Sequence, residues 1–80
     1  REGPNLGRPY VDILKGSVHA DMKELRVSVG GGVWCIAFAF NPARTAILLA
    51  AGNKRGAQEH RFYLDLIRVA DRRFTGHLAD

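Results

Sequence analysis

The segment "MKELRVSVGGGVWCIAFAF", residues 22–40, decides the fold. Polar and apolar residues alternate from residue 24 to residue 29, which is the period of a strand with one buried face. Glycines at positions 30–32 then allow a turn without side-chain constraint. A second alternating strand follows over residues 33–40. The segment therefore predicts two antiparallel strands joined by a tight turn.

The second strand has one bulky face and one small face. The bulky face consists of Trp34, Ile36, Phe38 and Phe40, and the small face of Val33, Cys35, Ala37 and Ala39. We expect the bulky face to form the heart of the core and the small face to be an open, shallow trough. Arg26 lies on the side of its own strand opposite Leu25 and Val27. It is therefore predicted to project onto the trough.

The flanking segments complete a two-layer α+β domain. "NPAR" (41–44) predicts a turn, and the apolar run "TAILLAAG" (45–52) predicts a strand in the middle of its sheet. Apolar residues recur at helical spacing after Gly56, which predicts a helix from Gln58 to Phe74 that stops near Gly76. Residues 10–14 predict a short extended piece. The helix is expected to cover the aromatic face of the sheet.

Length and composition limit the classes of protein to which the chain can belong. Eighty residues predict a single domain, 1–80, and 46% hydrophobic with 25% charged residues is typical of a folded domain. No run approaches the roughly 20 apolar residues of a membrane span, and no signal-peptide pattern is present. We therefore expect residence in the cytoplasm. One cysteine, and histidines far apart in the sequence, predict neither an internal disulfide nor a metal site.

The positive charge is concentrated in one part of the chain. The net charge is +4. Residues 44–62 contain four cations and one acid, in the order Arg44, Lys54, Arg55, Glu59 and Arg61. Such an excess indicates either a footprint for a polyanion or a solvated basic face that keeps the protein soluble. Charge alone leaves both interpretations open.

The predicted topology brings groups suited to phosphodiester chemistry to one edge. RNA cleavage by the neighbouring 2′-hydroxyl needs no metal, only a base, an acid and cations that stabilise the developing charge. Arg26 and Lys54 suit the charge-stabilising role. Tyr63 or His60 suits proton transfer, although a tyrosine is a weak base unless cations lower its pKa. The alternatives without a catalytic role are that Arg26 is an ordinary solvated strand residue and that Tyr63 belongs to the core.

Motifs along nearly the whole chain are similar to one family. Four segments, in order, resemble the HigB-like, phage-derived branch of the RelE/ParE toxins: "GPNLGRPYVDILKGS", "MKELRV", "FAFNPARTAILLAAGNK" and "FYLDLIRVADRRFTGHL". The resemblance implies a RelE-like fold, with a three- to four-stranded antiparallel sheet packed on a C-terminal amphipathic helix. It also implies the toxin of a type II toxin–antitoxin system. Many such toxins are mRNA interferases, endoribonucleases that cut mRNA on the ribosome without a metal or other cofactor. A cognate helix-turn-helix antitoxin neutralises them.

The resemblance assigns site residues by position. It implies catalytic roles for Arg26, Lys54 and Tyr63. It implies RNA or phosphate contacts for Lys23, Arg44, Arg55 and His60. These assignments agree with the edge that the topology predicts.

Two departures from the family pattern affect the expected activity. Cys35 stands where family members usually have a phosphate-stabilising arginine, and losing one such contact typically costs on the order of 10²–10³ in rate. The alternative function is therefore a weakened or inactive module that binds antitoxin or RNA, and a gyrase poison of the ParE type ranks below it. Relatives usually place a strand and a helical hairpin before the "GPNLGRP" segment. Without those elements an exposed sheet is expected, open to antitoxin docking or to homo-oligomer formation.

Overall fold

Four strands and one helix make up the fold. The computed structural model describes residues 10–54 and 58–79. The elements are β1 (Tyr10–Ile13), β2 (Lys23–Val29), β3 (Gly32–Phe40), β4 (Ala46–Asn53) and α1 (Glu59–Ala79). The strands form one antiparallel sheet in the order β1-β2-β3-β4. This architecture confirms the predicted α+β, RelE-like class.

The helix packs on the small face of the sheet, so the predicted orientation was wrong. Cys35, Ala37 and Ala39 are completely buried beneath the helix. On the opposite face Trp34 is 43% exposed and Phe40 is 48% exposed. The trough predicted to be open is therefore the floor of the core. The aromatic face, predicted to be the core, has no covering layer among residues 10–54 and 58–79.

Close approach of the helix to the sheet explains this choice of face. A Cβ atom built on Gly52 would lie 2.9 Å from a ring carbon of Phe62, so the helix contacts the strand backbone directly there. The helix supplies the bulk that the strands lack, through its buried residues Leu66, Ala70 and Phe74. Large side chains of the helix therefore pack against small side chains of the sheet.

β4 lies at an edge of the described sheet, whereas its apolar composition predicted a central strand. Leu48 is 70% exposed there. The ladder shifts register between Ala37 and Phe38, which leaves Leu49 as an extra residue between Leu48 and Ala50. Arg73 Nη1 donates a 2.7 Å hydrogen bond to the Leu49 carbonyl oxygen. The guanidinium thus satisfies a backbone group at the bulge.

The helix continues to Ala79, past the predicted stop at Gly76. Gly76 lies inside the helix, and a Cβ atom there would meet no neighbour within 4 Å. Glycine in an exposed helix interior costs about 1 kcal/mol relative to alanine, which weakens a helix without ending it. Among the described residues, no helix has the length and apolar character needed to cross a membrane.

The loop between β1 and β2 is fixed to the helix by Asp71. Its carboxylate accepts hydrogen bonds from the Ser17 hydroxyl and, at 3.1 Å, from the backbone N–H of Val18. The His19 ring is 3.0 Å from the Thr75 hydroxyl and meets the Phe74 ring edge-on. These contacts hold the loop in place, and with it Leu14 and Met22 at its two ends, which are buried in the core.

A matched pair of substitutions tests which face of the sheet is buried. Ala37→Leu inserts bulk beneath the helix and is expected to lower the free energy of unfolding by about 1–3 kcal/mol. Ala46→Leu places the same bulk on the exposed face, opposite Phe40. It should change the free energy of unfolding by less than about 0.5 kcal/mol. Urea unfolding measures both values. Greater loss of stability in Ala46→Leu would contradict the observed orientation.

Candidate functional site

The buried carboxylate of Glu24, on β2, is the centre of the candidate site. Glu24 is only 5% exposed. The Tyr63 hydroxyl, from the second turn of α1, donates a 2.5 Å hydrogen bond to Glu24 Oε2. Arg26 Nε lies 3.2 Å from the same oxygen. Glu24 and Arg26 alternate with Leu25 on β2 and so face the helix together.

Arg26 is held by charge and by an aromatic ring. Its Nε is buried but forms no hydrogen bond, so its contact with Glu24 is an ion pair in which the N–H is not aimed at the oxygen. The guanidinium carbon lies 4.6 Å from the centre of the Tyr10 ring, on the neighbouring strand. The side chain of Arg26 remains about one third exposed. Its outer part is therefore accessible to an incoming anion.

Lys54 reaches the same cluster from the end of β4. Its backbone N–H donates a 2.8 Å hydrogen bond to the Val33 carbonyl oxygen, which extends the ladder by one residue. Its ammonium lies 5.4 Å from the centre of the Tyr63 ring and 4.0 Å from Glu59 Oε2. The structure thus brings Arg26, Lys54 and Tyr63 together around Glu24.

The phenol of Tyr63 is held in its protonated form. Burial raises the pKa of Tyr63 well above its ordinary value, and the hydrogen bond to Glu24 raises it further. Burial also raises the pKa of the Cys35 thiol, whose sulfur lies 3.6 Å from the Tyr63 hydroxyl oxygen. The neighbouring cations therefore do not make Tyr63 a base. Its geometry suits a proton donor.

The cleft beside this cluster carries both signs of charge. Its volume is about 300 Å³. The charged residues that line it are Asp12, Lys15, Glu24, Arg26 and Glu59. With Lys54 next to Glu59, three acids face three bases. A phosphate entering the cleft must compete with carboxylates for the cations.

The remaining predicted contact residues do not join the cluster. Lys23 is paired with Phe38 and lies on the face opposite Arg26. Arg44 is exposed, in the turn between β3 and β4. The seven residue-to-residue steps from Val33 to Phe40 separate this end of the sheet from Lys54 by roughly 23 Å. His60 is exposed in the first turn of α1. Arg55 lies outside the described residues.

Glu24 and Cys35 are the members of the cluster to which sequence reasoning gave no role. The signal for Glu24 was present, since the alternation that turns Arg26 toward the small face turns Glu24 the same way.

Residues 10–54 and 58–79 contain no group of three histidine, cysteine or carboxylate side chains able to hold a metal ion.

The raised pKa of Tyr63 predicts how stability depends on pH. A phenol with a raised pKa in the folded state stabilises the fold below pH about 10, and this contribution is lost as the pH rises and the unfolded chain ionises. The free energy of unfolding of the unmodified chain should therefore fall more steeply above pH 10 than that of Tyr63→Phe. Tyr10→Phe removes an exposed phenol and is the control, so it should keep the steep slope. Equal slopes in all three proteins would contradict the buried hydrogen bond.

Comparisons with known proteins identify the family. Residues 1–75 match the family described as "Phage derived protein Gp49-like". The chain is 53% identical over 79 residues to "Putative toxin HigB2" of Mycobacterium tuberculosis, a match that covers 98% of this chain and 39% of the relative. It is 49% identical over 78 residues to "Putative toxin HigB3" of the same organism, a match that covers 98% of this chain and 66% of the relative. The chain thus spans less than two thirds of the length of these relatives, and no solved structure matches it. The chain belongs to the Gp49-like family of phage-derived proteins, as its motifs predicted.

Proposed function

We propose that this chain is the toxin of a type II toxin–antitoxin system and acts as an mRNA interferase, a metal-independent endoribonuclease that works on ribosome-bound mRNA in the cytoplasm. A helix-turn-helix antitoxin would be its partner. The names of the two relatives support the toxin class. The observation that carries the chemistry is the meeting of Arg26, Lys54 and Tyr63 around Glu24.

The two cations suit the phosphate of an RNA backbone. The accessible part of Arg26 can donate two parallel hydrogen bonds to phosphate oxygens, and Lys54 adds a point charge beside the Tyr63 ring. Both cations would stabilise the extra negative charge that develops when a 2′-oxygen attacks phosphorus. An attack of this kind forms a 2′,3′-cyclic phosphate and breaks the bond to the 5′-oxygen.

Tyr63 and Glu24 together account for the protons. In this mechanism the Glu24 carboxylate accepts the proton of the attacking 2′-hydroxyl, and Tyr63 gives its proton to the departing 5′-oxygen. The 2.5 Å hydrogen bond between the two side chains then lets the proton on Glu24 return to the tyrosine oxygen. One proton is taken up and one is released, so the pair ends as it began.

Removal of either cation tests the catalytic proposal. Expression of the chain in bacteria should stop growth and produce codon-phased mRNA ends. Arg26→Ala and Lys54→Ala should each lower the cleavage rate on the order of 10²–10³, because each removes a contact to the transition state. Growth curves and mapping of mRNA 5′ ends provide the measurements.

Arg68→Ala is the matched control for both variants. Arg68 is an exposed helix cation paired with Asp65 and lies outside the cluster. The Arg68→Ala variant should cleave mRNA at the same rate as the unmodified chain. If bacteria that express the unmodified chain grow normally and keep their mRNA intact, the proposal is contradicted. A DNA-damage response without mRNA cuts would favour a gyrase poison.

A second candidate function is an antitoxin-binding module without catalysis. Two observations favour it: Arg26 and Lys54 each already face a carboxylate, and Cys35 supplies no charge. Under this alternative the chain binds its antitoxin tightly and leaves mRNA intact.

The substitution Cys35→Arg separates the two candidate functions. If only the missing cation prevents catalysis, this variant should begin to cleave mRNA, since it adds a positive charge beside Glu24. Cys35→Met adds comparable length without charge and should remain inactive. Mapping of mRNA ends, together with circular dichroism to check folding, distinguishes the outcomes. Absence of cleavage in a folded Cys35→Arg protein that binds antitoxin supports the binding module.

A further inference from the structure

Tyr10 belongs to a row of paired residues that crosses the sheet through the candidate site. Tyr10 pairs with Arg26, and Arg26 pairs with Cys35. Cys35 pairs in turn with Gly52. Residues paired directly in antiparallel strands share a face, so Tyr10 lies on the helix face beside Arg26. Arg26 therefore has Tyr10 on one side of it in the row and Cys35 on the other.

The contact with Glu24 does not by itself orient the Arg26 side chain. Glu24 Oε2 lies 3.2 Å from Arg26 Nε, but the two atoms do not form a hydrogen bond. The energy of an ion pair without an aligned N–H depends mainly on the distance between the charges and only weakly on the direction of the guanidinium. A second contact is needed to fix that direction.

The ring of Tyr10 supplies the second contact. The guanidinium carbon of Arg26 lies over this ring, 4.6 Å from its centre. An aromatic face attracts the cation electrostatically, and it does not use the in-plane N–H groups with which a guanidinium binds phosphate. Unlike a carboxylate, the ring also leaves the positive charge unneutralised. The ring therefore holds Arg26 without using the donors that a phosphate needs.

The hydroxyl of Tyr10 contributes less than the ring to this arrangement. It donates a 3.3 Å hydrogen bond to Asp12 Oδ2, which is long for a bond between two oxygen atoms. Asp12 Oδ1 accepts a shorter bond of 2.8 Å from the backbone N–H of Ile13. The part of Tyr10 that contacts Arg26 is the ring. Tyr10→Phe should therefore preserve the contact with Arg26.

We propose that Tyr10 is a positioning residue that orders the Arg26 guanidinium for an RNA phosphate. The inference rests on the proposed function for the identity of the anion. Arginine has a long side chain with many rotamers, and fixing them when an anion binds costs conformational entropy. A guanidinium already held over a ring loses less entropy on binding. Tyr10 thus acts on the phosphate only through Arg26.

Side-chain dynamics test the positioning in the absence of RNA. Relaxation of the ¹⁵N nucleus in the Arg26 Nε–H group reports its order on the picosecond-to-nanosecond timescale. Tyr10→Leu should lower the order parameter of this group because the ring is lost, and Tyr10→Phe should leave it unchanged. Arg68, which pairs with Asp65 outside the cluster, is the internal control and should not respond to either substitution. An Arg26 order parameter that is the same in Tyr10→Leu as in the unmodified chain overturns the proposal.

A double-mutant cycle tests the link between Tyr10 and the phosphate. The probe is a fluorescent single-stranded RNA oligonucleotide with 2′-O-methyl riboses, which cannot be cleaved by attack of its own 2′-oxygens. Tyr10→Leu should raise its Kd about 2- to 12-fold, the cost of ordering one long side chain. Tyr10→Phe should bind as the unmodified chain does. In the Arg26→Ala background Tyr10→Leu should have no further effect on the Kd, which fluorescence anisotropy measures.

The binding results separate the positioning role from the proposed function. If Tyr10→Leu weakens binding as much in the Arg26→Ala background, the effect is general damage to β1 and the positioning role is overturned. Equal loss of affinity in Tyr10→Phe overturns it as well. An Arg26→Ala chain that binds the oligonucleotide as tightly as the unmodified chain overturns phosphate as the ligand of Arg26. Binding that depends on both residues, in a chain that leaves mRNA intact, supports the positioning role and contradicts only the catalytic function.

Discussion

The close approach of α1 to the small face of β3 and β4 is the constraint on which the rest of the structure depends. Phe62 packs on Gly52, where a Cβ atom would approach the ring to 2.9 Å. Tyr63 follows Phe62 directly, so this contact carries its hydroxyl down to Cys35 and Glu24. A larger residue at position 52 would lift the first turns of the helix away from the sheet. Packing and the candidate chemistry therefore rest on the same few small side chains.

Periodicity predicted the elements of the fold but not which side of the sheet is covered. Alternation in β2 and β3 divides their residues correctly into two faces. It contains no information about where the helix packs, and the rule that bulky residues are inside misassigned Trp34 and Phe40. The helix itself carries the bulk, so the best complement was the face of Cys35, Ala37 and Ala39. Volume matching between layers cannot be read from either strand alone.

The same division of faces determined how much of the candidate site was predictable. Arg26 was expected on the small face and lies there, and the short β4–α1 connection brings Lys54 close to Tyr63. Glu24 had no predicted role, because the regional excess of cations indicates basic residues as the phosphate contacts. A buried carboxylate is rarely left unpaired, so its presence on the same face as Arg26 implied an ion pair. The family resemblance assigned a phosphate contact to Lys23, although Lys23 and Arg26 lie on opposite faces of β2.

The balance of charge around Glu24 explains why Cys35 matters to the choice between a catalyst and a binding module. Three acids and three bases surround the cleft, and Arg26 and Lys54 each already face a carboxylate. Burial keeps both Tyr63 and Cys35 protonated, and neither adds charge. A cation in place of the thiol would give the cluster four bases against three acids, and would leave one positive charge without a carboxylate. That single unmatched charge is what an incoming phosphate would bind, because it need not displace Glu24 first.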